Sequence, residues 1–125
     1  MPSYDQDRRC ARRAVPYKMK MFVFHHVEEV GEISDLSEGG AGIYIYSEFP
    51  PKQKVSLNFF LPRNSQCEES IPIFAIGEVI WQKNTESSVH GTRFKAGIKF
   101  ELILPEHVAI IRDFVKSIPD QKPTN

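Results

Sequence analysis

The feature that most constrains the fold is a series of short segments in which apolar and polar residues alternate. Alternation with a period of two is typical of a strand that buries one face. Six such segments follow one another between Gly, Pro and polar turns, and they begin near Val15, Val27, Ile43, Val55, Ile73 and Val89. Short strands at this spacing, with no internal repeat, predict a mainly β fold, as a six-stranded antiparallel barrel or a sandwich.

The two ends of the chain differ from this body. Residues 1–14 are polar and charged without any period, which predicts a flexible N-terminal arm. Residues 105–118 instead repeat apolar side chains with a helical period, and Pro105 suits the first turn of a helix. The apolar positions of this predicted C-terminal helix are Val108, Ile111, Phe114, Val115 and Ile118. The chain therefore divides into an arm (1–14), a barrel with a helix (15–118) and a tail (119–125).

Composition excludes several classes of protein. The 16 basic and 16 acidic residues cancel, which argues against a protein that coats nucleic acid or a charged membrane through its net charge. No segment has the ~20 apolar residues that span a bilayer, and no apolar run follows the basic N-terminus as in a secretory signal. Cys10 and Cys67 are too few for a disulfide framework or a structural metal site. These features predict a cytoplasmic protein with free thiols, no bound metal and no membrane insertion.

Two separated motifs carry the chemistry. The first is an arginine cluster in the arm, where Arg8, Arg9, Arg12 and Arg13 read as R-x-x-x-R in two overlapping frames. The second is D-x-S-x-x-G at 35–40, within the turn-rich segment 35–42. Guanidinium groups bind phosphate and the edge of guanine through paired hydrogen bonds, and a carboxylate can accept from guanine N–H groups. Together the motifs predict a receptor for an anionic guanine nucleotide.

At these residues the sequence resembles the PilZ domain family, bacterial receptors for the second messenger cyclic di-GMP. Both motifs are intact and stand in the family's order. Further similarity lies in Val15-x-Tyr17-x-Met19 after the arginines, in Gly40-Ala41-Gly42-Ile43 after the second motif, and in Glu78-Val79-Ile80-Trp81 and Gly97-Ile98-Lys99-Phe100 in the later strands. The resemblance thus covers nearly the whole chain and implies a PilZ-like barrel.

The resemblance also implies roles for individual residues. It favours Arg8 and Arg12 as the pair that clasps the ligand, with Arg9 and Arg13 as the competing frame. It places Asp35 and Ser37 against a guanine edge. Gly39 and Gly40 form the turn that stays open for the ligand. Trp81 is a candidate for lining the site, although a lone strand tryptophan is more often a core residue.

The overlapping arginine frames leave the stoichiometry open. In this family an arginine just before R-x-x-x-R favours an intercalated pair of ligand molecules. Asp7 holds that position in one frame, and Arg8 holds it in the other. The sequence is therefore compatible with one bound cyclic di-GMP or with two.

No catalytic apparatus is evident in the sequence. Ser37 lacks the glycine two residues earlier that a nucleophile elbow requires, and no base can be assigned to activate it. The main rival is a small barrel that binds single-stranded nucleic acid through aromatic residues, and Tyr44, Tyr46, Phe59 and Phe60 are available for this. The strands lack an evident basic stripe, which makes nucleic acid the weaker prediction. A PilZ-like domain that has lost its ligand and acts only as an interaction module is a further alternative.

The sequence thus predicts a receptor or adaptor rather than an enzyme. Cyclic di-GMP would be its ligand, and it would order the arm against Asp35 and the neighbouring turn. The ordered arm would present a new surface to a downstream protein acting in trans.

Overall fold

The computed structural model describes residues 13–25, 28–62, 69–85 and 93–118, and for residues 13–18 it describes the backbone. These ranges contain the strands β1 (Arg13–Phe24), β2 (Glu28–Ser37), β3 (Gly40–Ile45), β4 (Lys54–Pro62), β5 (Ser70–Thr85) and β6 (Arg93–Ile103), and the helix α1 (Pro105–Ser117). All neighbouring strands are antiparallel, and they close a barrel in the order β1–β2–β3–β6–β5–β4. The predicted six-stranded antiparallel barrel with a C-terminal helix is confirmed, and the barrel replaces the sandwich alternative.

Strand alternation fills the barrel interior. Along β4 every second residue is buried, so Leu57 and Phe59 point inward while Asn58 points to solvent. Met19 and Met21 lie in the same core on β1, as their spacing predicts. The β1–β4 pairing that closes the barrel is short, because only Phe22–Phe24 of β1 pair with Ser56–Asn58 of β4.

Helix α1 covers the end of the barrel that holds the β2–β3 turn. Its first turn begins at Pro105, and the carbonyl of Leu104 accepts hydrogen bonds from His107 and Val108. Its apolar stripe, with Ile111, Phe114, Val115 and Ile118, belongs to the barrel core, while Val108 is half-buried. The helix contacts β2 and β4, which are not neighbours in the barrel. It therefore lies across the barrel end.

The strands extend further into the second motif than the sequence predicts. The turn-rich segment predicted at 35–42 is wrong in extent, because only Glu38 and Gly39 form the turn. Leu36 and Ala41 pair with each other and both point into the core, so inward packing keeps β2 and β3 paired as far as Ser37 and Gly40. Strand β1 likewise begins at Arg13 rather than at Val15. The predicted start of the last strand, near Val89, lies outside the described residues.

Replacing Ile111 by alanine tests how much α1 contributes to the core. Ile111 is fully buried, so the I111A cavity should lower the free energy of unfolding by about 3 kcal/mol. Urea unfolding followed by circular dichroism measures this difference. Lys116→Ala on the exposed side of the same helix is the matched control and should change stability by less than about 0.5 kcal/mol. Equal effects of the two substitutions would contradict the helix's place in the core.

Candidate ligand-binding site

The strand register aligns five residues in one row across the outer face of the barrel. Ala14 on β1 pairs with Asp35 on β2, and Asp35 pairs with Gly42 on β3. Gly42 in turn pairs with Gly97 on β6, and Gly97 pairs with Trp81 on β5. We call these residues the glycine row. The row joins both sequence motifs to a tryptophan 46 positions further along the chain than Asp35.

The two central glycines let larger side chains lie over the sheet. A Cβ atom on Gly42 would come within 2.5 Å of Asp35 Oδ2, and a Cβ atom on Gly97 would overlap Nε1 of the Trp81 indole. The carboxylate therefore lies over one glycine and the indole over its partner. This arrangement places a hydrogen-bond acceptor and an aromatic plane close together on the outer face. A purine base needs these two groups, one for its N–H edge and one for stacking.

Trp81 is exposed, so the expectation that it is a core residue is wrong. A register shift between Val79 and Trp81 turns both Ile80 and Trp81 outward, and 40% of Trp81 is accessible. The indole also lines a groove of about 390 Å³ between β5 and the β3–β4 loop, where Phe49 forms another part of the lining. The β-bulge thus converts an inward-facing position into a surface aromatic.

Ser37 and the two glycines after it form the turn between β2 and β3. The Ser37 hydroxyl is fully buried; it accepts a hydrogen bond from Gly39 N at 3.2 Å and donates to Gly40 O at 3.4 Å. Gly39 O accepts from Phe100 N at 2.8 Å, which ties the turn to β6. Gly40 has no room for a side chain, because a Cβ there would overlap the carbonyl oxygen of Ile98. These three residues shape the turn that follows Asp35, and their contact with a ligand stays a prediction.

The arm reaches the barrel beside the second motif. Arg8, Arg9 and Arg12 lie outside the described residues, whereas the Arg13 backbone pairs with Leu36. The end of the arginine cluster therefore lies one residue from Asp35 across the sheet. Both arginine frames run into β1 at this point, so the structure is compatible with either.

A second row of polar residues lies next to the glycine row. The register aligns Lys20, Glu32, Tyr44, Lys95 and Lys83 across five strands. Tyr44 and Lys95 each lie two residues from a glycine of the first row, and a strand rises about 7 Å over two residues. A ligand on the glycine row would therefore lie within reach of these side chains.

The outer face of β6 is basic, which corrects the expectation that the strands lack a basic stripe. Arg93, Lys95 and Lys99 alternate there with inward-facing residues. The Arg93 guanidinium lies 4.6 Å from the centre of the Tyr44 ring and bonds to Glu32 at 3.0 Å, while Lys95 Nζ lies 5.4 Å from that ring centre. The stripe was missed because its charges are spaced by two in the sequence and converge only through strand geometry.

An ion pair connects the second motif to the helix. Glu38, in the turn of the motif, accepts a hydrogen bond from Arg112 of α1 at 2.9 Å. A movement of this turn would therefore displace the Arg112 side chain of α1 or break its ion pair with Glu38.

Sequence reasoning singled out Asp35, Trp81 and the arginine cluster as candidates, but not Gly42, Gly97, Tyr44 and Lys95, which the strand register places beside Asp35 and Trp81. Gly42 and Gly97 stand within segments that resemble the family, yet nothing in a single sequence pairs them. Their roles depend on the β3–β6 register, which joins residues 55 positions apart.

The fold is a closed six-stranded barrel in which the start of β1, directly after the arginine motif of the sequence, pairs with the strand that carries D-x-S-x-x-G. The sequence profile of the PilZ domain matches residues 6–117, and the chain belongs to this family of cyclic di-GMP receptors and adaptors. No curated protein shows significant sequence similarity to the chain.

Two solved structures share the fold. The Bacillus subtilis inhibitor of motility, MotI/DgrA, matches with a TM-score of 0.71 at 14% identity, over 88% of this chain and 50% of that one. The PilZ domain of YcgR from Escherichia coli, solved with cyclic di-GMP, matches with a TM-score of 0.64 at 13% identity, over 88% of this chain and 89% of that one. The chain spans about half the length of the MotI/DgrA structure.

Two further findings concern the described residues alone. Within them, no helix is long and apolar enough to cross a membrane. The same ranges hold no group of three or more His, Cys, Asp or Glu side chains that could bind a metal ion.

Gly97→Ala tests the packing of the indole over the glycine row. The new methyl group must displace Trp81, so we expect the tryptophan emission to shift to longer wavelength as the ring becomes more exposed. Trp81 is the only tryptophan, so the fluorescence spectrum reports on this residue alone. Gly42→Ala is the matched control, because its methyl group meets Asp35 and should leave the emission unchanged. Identical spectra of G97A and the unaltered protein would contradict the described packing.

Proposed function

We propose that this PilZ domain is a cytoplasmic receptor for cyclic di-GMP that acts on a partner protein rather than as an enzyme. The single observation that supports this most directly is the glycine row. It brings the carboxylate of one motif, the end of the arginine cluster and an exposed indole to one strip of the barrel. These groups complement a ligand with guanine bases and phosphates. The fold shared with the cyclic di-GMP-bound PilZ domain of YcgR supports the same choice of ligand.

Each side chain has a distinct task in the proposed complex. The Asp35 carboxylate accepts hydrogen bonds from a guanine N–H edge, and Trp81 stacks on a base or on an arginine plane. The missing side chains of Gly42 and Gly97 let a base approach the sheet backbone. The arginines of the arm close over the other side of the ligand and neutralise its phosphates.

Ligand binding would change the surface in two places. The arm would be ordered through charge-assisted hydrogen bonds, which is a disorder-to-order switch. The turn at Glu38 would adjust to the ligand and act on α1 through the Glu38–Arg112 ion pair. Both changes present new surface to a downstream protein in trans.

Titration calorimetry with cyclic di-GMP tests the proposed function. We expect saturable binding together with a change in Trp81 fluorescence, because the indole would contact the ligand. GTP should bind at least about tenfold more weakly, since it cannot engage two guanine subsites. The titration also yields the stoichiometry of one or two ligand molecules. No heat and no fluorescence change with cyclic di-GMP would reject the proposal and favour an interaction module without a ligand.

Alanine variants of the arginines distinguish between the two overlapping R-x-x-x-R frames. If Arg8 and Arg12 hold the ligand, Arg8→Ala and Arg12→Ala should each weaken binding about tenfold or more, as the loss of a charge-assisted hydrogen bond predicts. Arg9→Ala and Arg13→Ala are the matched controls, and the reverse result would assign the other frame. Asp35→Ala should weaken binding in either frame. Circular dichroism of each variant checks that the barrel is intact.

Single-stranded nucleic acid is the second candidate ligand, and the basic stripe of β6 beside Tyr44 favours it. The strip offers cations and an aromatic ring, as nucleic-acid-binding barrels do. This function would be established instead if the protein bound an oligonucleotide but not cyclic di-GMP. The Lys83→Ala and Lys95→Ala variants should then bind the oligonucleotide more weakly.

A further inference from the structure

The wall of the barrel opposite the glycine row exposes an unusual amount of aromatic surface. Phe22 and Phe24 on β1, Phe60 on β4 and Phe74 on β5 all point outward, with 41%, 54%, 56% and 44% of their surface accessible. We call this surface the phenylalanine face. In the barrel order, β4 lies opposite β3, so the face and the glycine row look in opposite directions.

The strand register makes this face continuous. Phe22 and Phe74 both pair with Asn58, and Phe24 lies across Ser56 from Ile76. Phe60 pairs with Pro72, and Ile76 pairs with the exposed Leu102 of β6. Side chains paired across neighbouring strands touch or nearly touch, so these residues form one patch.

The exposed apolar area of the phenylalanine face is comparable to the apolar part of a protein–protein interface. A phenylalanine side chain presents about 200 Å² of surface, so four rings that are about half exposed leave roughly 400 Å² of aromatic surface in water. Leu102, at 65% exposure, enlarges the apolar patch further. A standard protein interface buries about 800 Å² on each partner, somewhat more than half of it apolar. The phenylalanine face therefore supplies the apolar share of an interface, and its area lies within the range of about 300–600 Å² found for the largest patches of monomers, which are often functional.

The distribution of charge on the face favours a second copy of the same chain as its binding partner. In a two-fold contact each residue meets the same surface of its partner, so a charge at the centre would repel itself. The residues that lie between the rings, Asn58, Ser56 and Pro72, are neutral, and the charged partner of Phe24, Glu28, lies at the β2 edge of the face. The net charge of the chain is zero, so two copies do not repel each other as a whole.

The rim of the face is also self-complementary. Lys54 lies 2.5 Å from Glu101 and 3.5 Å from Glu78 at the edge where β4, β5 and β6 meet. The hydrogen bond between Lys54 and Glu101 lowers the pKa of Glu101 and raises the pKa of Lys54, so both side chains stay charged near neutral pH. A rim that carries both positive and negative side chains can form ion pairs with the same rim of a second copy.

We propose that the phenylalanine face is the interface of a homodimer of this chain. Dimerisation through this wall needs no ligand and leaves the glycine row exposed on both copies. Interfaces of this size have dissociation constants of about 1 µM or below.

Sedimentation equilibrium of the ligand-free chain tests the proposal. We expect the mass of two chains at about 10 µM, and the mass of one chain for the double variant Phe24→Ser/Phe60→Ser. Asn58→Glu should also weaken association at least about tenfold, because it keeps the apolar area but sets two negative charges against each other at the centre. All three substituted residues lie on the outer face, and circular dichroism checks that the barrel is folded.

Tyr46→Ser is the matched control, because Tyr46 is 50% exposed and lines the groove with Tyr44, where Val30 of β2 separates it from Phe22 of the phenylalanine face. This variant should sediment as the unaltered protein does. A wild-type chain that has the mass of one chain up to about 100 µM would overturn the proposal. Dimers that persist in both the Phe24/Phe60 and the Asn58 variants would also overturn it, by placing the interface elsewhere.

Discussion

The pairing of β3 with β6 is the contact on which both the barrel and the candidate site depend. It joins the N-terminal half of the sheet to the C-terminal half, because β6 is the only neighbour of β3 apart from β2 in the closed order. Gly40 makes this approach possible at one end, since a side chain there would overlap the backbone of Ile98. The same pairing sets Gly42 against Gly97 and so creates the glycine row. One register therefore determines closure of the barrel and the shape of the proposed ligand surface.

Strand alternation and helical period were sufficient to predict the architecture. Met19, Met21 and Ile111 are buried where their spacing places them, because an inward position on a closed barrel tolerates little else. The exact ends of the strands could be predicted less well from the sequence. Leu36 and Ala41 pull the second motif into paired strands through core packing, although Asp, Ser and Gly at 35–42 have strong turn propensity. Tertiary packing overrode local preference at this point.

Candidate site residues could be singled out from the sequence only where short motifs mark them. Asp35 and the arginine cluster stand out along the sequence, and the register brings Asp35 next to the end of that cluster. Trp81 shows the limit of this reasoning, because a β-bulge reversed the face that its spacing implied. The lysines of β6 show the same limit, since no single sequence reveals that Lys95 lies beside Tyr44 and opposite Lys83. Cross-strand neighbours depend on register, and register is a property of the folded sheet.

The two walls of the barrel suit two separate tasks. The wall around β3 is polar, basic and shaped by glycines, which favours a small anionic ligand, whereas the wall around β4 is apolar and neutral at its centre, which favours protein contact. A dimer formed through the second wall would turn both glycine rows outward. Two ligand-ordered arms would then be held on one rigid particle, and a partner with two matching sites would bind it more tightly than it binds a single chain. Association through the phenylalanine face would thus sharpen the response to ligand without any contact between the face and the ligand.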